Sequence, residues 1–395
     1  MSSIDELIDS WVEKIAKRIS EVEFAWFKRI GETIKKFFNM EKVSTSMLEV
    51  REAIAADIRK LSTLLRKAHI DIMHDIEAMF SQITAETYKE GQEIGSKKGK
   101  KLSPFKNYRN SVNPMLKKVM NTYAIMAKST TTNETYKKTI TKMVNKMYVD
   151  KDRINYHKAM REAVTELGRS GISFVDYDNG RNPYTRRLDS SVRNALSGEM
   201  SQVVQEITYK LAEELQADSF EVSIEFNSAP DHENVQGKIF NASEWEKLQN
   251  NEPAVDSDGE THQLTHRVIG QFNCRHRGRP FITGISERAH SKEDLEKIRK
   301  DNHADIKFEG KKYSKYQASQ LQRQIETELR RQRGVKEILH NVAGNDPEFR
   351  RERNDVNASI RILNARYEKL GETLAPYAMR AKTERTYNID ARGSR

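Results

Sequence analysis

Apolar residues recur every three or four positions through Ile4, Leu7, Ile8, Trp11, Ile15, Ile19, Val22, Trp26, Ile30, Ile34 and Phe37. A second series follows in Met47, Val50, Ile54, Ile58, Leu61, Leu65, Ile72, Ile76, Met79 and Ile83. This spacing marks one face of an α-helix, so it commits 4–40 and about 44–90 to two long helices. Ser3, Asp5 and Glu6 place a cap and acids at the start of the first, where the helix dipole favours them. Gly91, Gly95 and Gly99 are expected to end the second. Pro104 and Pro114 then bracket more irregular chain, and 115–128 and 133–169 read as helix on either side of Ser129–Thr132. The first helix also carries aromatic and basic residues, as a membrane-surface helix would. Packing against a second helix or another subunit is the preferred expectation.

The chain has 395 residues, more than one typical domain, with only 8 Pro and 18 Gly to punctuate it. Charged residues make up 32% and the mean hydropathy is −0.80, so much of the chain must be solvated helix. A single cysteine, Cys274, excludes an internal disulfide and suits a reducing compartment. No basic leader precedes an apolar run at the N-terminus, and nowhere are there ~18 uninterrupted apolar residues. Synthesis in a cytoplasm, away from membrane, is the expectation.

The net charge of +10 is concentrated in one place. From Lys97 to Lys146 there are thirteen Lys or Arg against one acid, Glu134. Such a block suits a polyanion, double-stranded DNA above all, bound without sequence preference. Lys97, Lys98, Lys100, Lys101, Lys106, Arg109, Lys117 and Lys118 are the candidate DNA contacts.

The pattern changes at Gly168. Gly171–Tyr177 is strand-like and Asp178-Asn-Gly180 is a turn signal. Ser190–Gln216 returns to helix, and Phe220–Phe226 alternates strictly, as a strand does. A short helix near Ser243–Leu248, a polar excursion over Asn250–Gly259 and a strand over His266–Phe272 complete a small α+β unit. Helices resume over Lys292–Asp301, Gln317–His340 and Arg350–Tyr377, the last two so polar that each needs a partner for its narrow seam. Arg385–Arg395 reads as an extended tail. The expected fold is mainly α with a small α+β domain. It divides into a helical module over 1–169 with the basic segment 97–146, a central α+β domain over 170–285, and C-terminal Arg/Gln-rich helices with a tail over 286–395.

Chemistry-bearing residues gather in the central unit. Cys274 and His276 are separated by one residue, and His232 can join them from a neighbouring loop. Thiolate and neutral imidazole are the ligands zinc prefers, although the spacing fits no standard zinc pattern. His262 and His266 are further candidate ligands. The alternatives are a buried cysteine in a structural polar network and a Cys–His nucleophile and base.

The ordered blocks His232…Gln236-Gly237-Lys238, Asn273-Cys274-Arg275-His276 and Pro280-Phe281-Ile282…Gly284 resemble the phage minor capsid protein 2 family, akin to the Mu F-like head-morphogenesis proteins. Upstream, Phe174–Asp178, Gly180-Arg181 and a helix bearing Arg193 are similar to the same family; downstream, so are Tyr316…Gln320…Arg323…Glu326…Arg330 and Arg385-Thr-Tyr387. The resemblance covers about 170–390, with Gln236, Gly237, Asn273 and Arg275 as structural motif residues. Where the family carries Ser-His and a Trp before Gln-Gly, this chain has Asp231-His232 and Val235.

The resemblance implies long helices flanking a central Mu F-like α+β domain. It also implies a virion head component inside the capsid near the portal vertex, made in a bacterial cytoplasm and present in several copies around the portal. Its partners would be the portal protein, other capsid or scaffold proteins and DNA, with roles in head assembly and in DNA packaging or delivery. It implies no enzyme and no required cofactor. The alternative is a zinc- or cysteine-dependent enzyme, or an ADP-ribosyltransferase-like effector, centred on His232, Cys274 and His276.

Overall fold

The computed structural model describes residues 3–38, 47–128, 132–149, 153–178, 182–224, 230–264, 268–270, 274, 276–343 and 346–377. The N-terminal part is built from α1 (Ser3–Phe38), α2 (Met47–Lys97), α3 (Phe105–Lys128), α4 (Thr132–Val149) and α5 (Arg153–Ser170). The hairpin β1 (Ser173–Asp178) and β2 (Asn182–Arg187) leads into α6 (Leu188–Leu215). Next come β3 (Ser219–Val222), the 3-10 helix Pro230–Val235, β4 (Ile239–Asn241), α7 (Ala242–Gln249), β5 (Ala254–Val255), β6 (Thr261–His262) and β7 (Gly278–Phe281). The chain continues through α8 (Lys292–Asn302), β8 (Ile306–Phe308), β9 (Lys311–Tyr313), α9 (Lys315–Ala343) and α10 (Pro347–Leu374). The protein is mainly α with small β content.

The stripe read from the sequence is the buried face of α1, with Ile4, Ile8, Val12, Ile15, Ile19, Val22, Trp26, Ile30 and Ile34 all in the core. That face packs on α2, α6 and α9. With the chain's own helices covering it, the membrane-surface alternative has no apolar face left to insert. No helix among the described residues is long and apolar enough to cross a membrane.

Of the three glycines expected to end α2, only Gly99 does. The helix runs through Gly91 and Gly95 and stops at Gly99, whose φ is 68°. A Cβ on Gly91 would lie 2.4 Å from Leu211 Cδ2, so this glycine serves close packing of α2 against α6. The irregular chain expected between the prolines is helical as well. Pro104 precedes α3, where a missing N–H is harmless, and Pro114 lies inside it. Burial of Tyr108, Val112, Val119 and Tyr123 against α2 and α6 opposes an interior-proline cost of ~3 kcal/mol.

A three-stranded antiparallel sheet of order β4-β3-β7 anchors the α+β unit, with Phe220 opposite Phe240 on one side and Pro280 on the other. Two strand expectations change here. The first strand ends at Val222, and all four of its residues are buried because it is the middle strand with α6 and α7 packed nearby. Residues 268–270 of the strand expected over His266–Phe272 are not strand, and Gly270 turns at φ 82°. The third strand is instead β7, whose Pro280 is tolerated at a sheet edge. Strands β2, β4, β5 and β6 were not expected either, nor was the β8–β9 hairpin, which turns on Glu309 and Gly310 at φ 49° and 77°.

The polar C-terminal helices find their partner in each other, and α9 also lies on α1 and α5. The α5–α9 crossing is close. A Cβ on Gly168 would lie 2.5 Å from the Val335 nitrogen, and one on Gly334 2.3 Å from the Gly168 carbonyl oxygen.

Candidate functional site

The 3-10 helix Pro230–Val235 carries His232 inward, where it is completely buried. Cys274 and His276, on the segment leading into β7, are 2% and 3% exposed. His232 Nδ1 lies 3.1 Å from Cys274 Sγ, and the same sulfur lies 3.4 Å from His276 Nδ1. The two imidazoles meet edge to face with centroids 5.3 Å apart. On the other side of the His232 ring, Nε2 is 3.8 Å from Asp231 Oδ2. The fold thus brings together the three residues singled out in the sequence, and one donor atom from each falls within 4.8 Å of the others. Such a set can hold a divalent metal, or it can act as a hydrogen-bonded thiol–imidazole network.

The surrounding motif residues have local reasons. Gln236 is buried directly after the 3-10 helix. Gly237 adopts φ 68°, and a Cβ there would lie 2.4 Å from Leu295 Cδ2 on α8, which explains why this position takes glycine. Asn273 and Arg275 lie outside the described residues, as does His266.

Lys238, next to Gly237, was quoted in the motif without a role. Its ammonium lies 3.0 Å from Asp256 Oδ2 and donates to Glu260 at 2.6 Å. His262 Nε2 is 3.0 Å from the same Asp256 oxygen, so this histidine belongs to a second acidic cluster rather than to Cys274. Burial would raise the Asp256 carboxyl. Hydrogen bonds from the Glu260 and Asp258 backbone, Lys238 and His262 outweigh it and hold that carboxyl at about 2. The lysine already supplies the cation that these carboxylates need.

A cleft of about 460 Å³ opens between the end of α2 and the 285–290 segment. Glu221, Arg277, Arg279 and Arg288 line it, and burial raises the Glu221 carboxyl above its ordinary value. Sequence patterning missed Glu221 because its alternation marks it as a solvent-facing strand residue. None of His232, Cys274 and His276 lines this cleft.

The basic candidates are dispersed in role. Lys98 donates to the Leu215 carbonyl oxygen at 2.6 Å and so closes the C-terminus of α6. Lys97 stands on the cleft wall. Lys100 is half-buried, and Lys101, Lys106, Arg109, Lys117 and Lys118 are exposed. Lys118 pairs with Glu199 at 3.1 Å. On α3 the exposed residues Lys106, Arg109, Asn110, Asn113, Lys117 and Asn121 follow one another at helical spacing, and the helix contains no acid.

Fold and site together define a mainly helical protein carrying a small α+β unit with a buried Cys/His cluster. The model of the family described as phage minor capsid protein 2 matches residues 9–365, nearly the whole chain. The chain belongs to that family, which gives it a phage capsid role in the virion. The match begins far ahead of residue 170, so the N-terminal helices are part of the family's pattern and not only its C-terminal blocks. No curated protein and no solved structure matches the chain.

Proposed function

We propose that the protein is a minor head component at the portal vertex. It enters the capsid interior with the portal protein in several copies and contacts double-stranded DNA non-specifically during packaging or delivery. Family membership supports the head role. The observation that carries the DNA contact is α3, whose exposed stripe holds Lys106, Arg109 and Lys117 with three asparagines and no acid. Cations and amides at helical spacing meet phosphate oxygens without reading base edges. A head component beside the DNA channel needs this kind of contact, since it must not favour any one genome sequence.

Co-expression with the portal protein of the same phage tests the placement. The expected result is co-elution of the chain with assembled portal rings on size exclusion. A chain that stays apart from the rings at every mixing ratio rejects the portal assignment.

A further inference from the structure

We propose that His232, Cys274 and His276 are ligands of a structural zinc ion that fastens the 3-10 helix to the segment leading into β7. Tetrahedral zinc, with Zn–S of about 2.3 Å and Zn–N of about 2.0–2.1 Å, places its sulfur and nitrogen ligands about 3.5 Å apart. The two sulfur–nitrogen separations are 3.1 Å and 3.4 Å, so each imidazole already stands at about the ligand–ligand distance from the sulfur, and all three donor atoms lie within 4.8 Å of one another. The set of one thiolate and two neutral imidazoles is chemically suited to zinc and unsuited to calcium or magnesium.

A second observation points the same way. The nitrogen of His232 that faces away from the sulfur lies beside the Asp231 carboxylate, at 3.8 Å. Metal-bound imidazoles are commonly oriented by a carboxylate on their other ring nitrogen, which fixes the tautomer and strengthens the ligand. At that distance Asp231 needs only a small shift to accept from His232, which makes it the candidate positioning residue. The departure from the family's Ser-His pairing puts a stronger acceptor at that place.

The local core gives the ion a purpose. The apolar cluster of this unit is small, with Phe220, Val235, Phe240, Trp245 and Ile269 among its members, and its Ala212 belongs to α6. A unit with so small a core gains much from a metal staple, because binding free energy becomes folding free energy. Val235 follows His232 by three residues and Ile269 precedes Cys274 by five, so the ion would join the two loops that close this core. Three protein ligands leave the fourth tetrahedral position to water or another donor, and burial of all three away from the cleft argues against an ion that meets a substrate there.

The test is metal content of the full chain, purified under reducing conditions without chelator and measured by mass spectrometry. About one zinc per chain is expected. Cobalt added to the chelator-stripped chain should give thiolate-to-cobalt charge-transfer absorption. Cys274→Ser should abolish that band, and Asp231→Asn should weaken zinc affinity about tenfold or more while retaining the band. Should Cys274→Ser fail to fold, the wild-type metal content and cobalt spectrum still decide. A metal-free chain that gives no charge-transfer band with cobalt overturns the proposal.

Discussion

Arg330, near the middle of α9, donates to Asp189 Oδ2 at 2.8 Å across 141 residues of chain. Asp189, in the first turn of α6, also faces Arg187, and Arg187 in turn donates to Glu23 of α1. Two buried carboxylates and two largely buried guanidiniums thus tie the N-terminal helix, the hairpin, the central helix and the C-terminal helix at one point. Burial opposes the charge on Asp189, but Arg330, Arg187 and Arg193 outweigh it and hold the carboxyl at about 2, below its ordinary 3.8. Burial dominates at Glu23 and raises its carboxyl.

The Asp189 shift makes stability depend on acid in a defined window. A carboxyl more acidic in the folded than in the unfolded chain stabilises fully above about pH 4, and that contribution is lost as pH falls through about 2. Its size is about 2 kcal/mol. Urea unfolding across this range should show wild type losing stability more steeply than Asp189→Asn, which lacks the titrating group. Parallel acid profiles for the two proteins would refute the assignment.

Removing the other partner should be worse. Arg330→Met leaves a buried carboxylate facing one cation fewer, a class of change that costs about 3–5 kcal/mol. A matching fall in urea midpoint at neutral pH is expected, and a change within experimental scatter would mean the network is not coupled to folding.

The facing glycines of α5 and α9 allow a sharper test of packing. A methyl group at Gly168 meets the Val335 backbone, which cannot step aside as a side chain can. Gly168→Ala is expected to destabilise by about 1–3 kcal/mol, the usual cost of overpacking, although alanine is the better helix former. Gly334→Ala should act similarly, and the double variant should cost less than the sum because the first change already parts the helices. Thermal unfolding of the three proteins measures this, and a stabilised Gly168→Ala would contradict the close crossing.

Physical locality explains what the sequence made legible. The α1 stripe was readable because helix periodicity is written in neighbouring residues, and the Cys274–His276 pair because one short segment holds both. Gly91, Gly95 and Pro114 misled because local rules treat them as breakers, whereas contact with distant Leu211, or burial of Tyr108 and Val119, decides their state. The strand β7 was hidden because Gly278 and Pro280 read as loop, and only its register with β3 makes it a strand. The Glu23–Arg187–Asp189–Arg330 network was beyond any local pattern, since its members come from separate elements.

Within α10, Tyr367 holds the family-motif residue Glu326 of α9 together with nearby Gln322. Its hydroxyl donates to Glu326 at 2.8 Å and accepts from Gln322 at 3.1 Å, all three being buried. Tyr367→Phe keeps the ring but removes the hydroxyl, which should cost about 1–3 kcal/mol. Hydrogen exchange should report faster opening of α10 than in wild type. Unchanged exchange together with unchanged stability would leave the pairing without energetic weight.

The basic residues separate by role, and salt dependence distinguishes them. Lys106, Arg109 and Lys117 stand on the exposed stripe of α3, whereas Lys98 is engaged with the Leu215 carbonyl. Each phosphate neutralised contributes about −0.9 to the slope of log binding constant against log salt. Changing Lys106, Arg109 and Lys117 together to Gln should therefore flatten that slope by up to about 2.7 and weaken retention of duplex DNA at low salt. Lys98→Met should instead leave the slope unchanged and lower stability, because a helix terminus loses its donor. Filter binding on random-sequence duplex over a salt series provides the measurement. Equal slopes for wild type and the triple variant would remove α3 as the DNA contact, and a flattened slope for Lys98→Met would move the contact toward the end of α2.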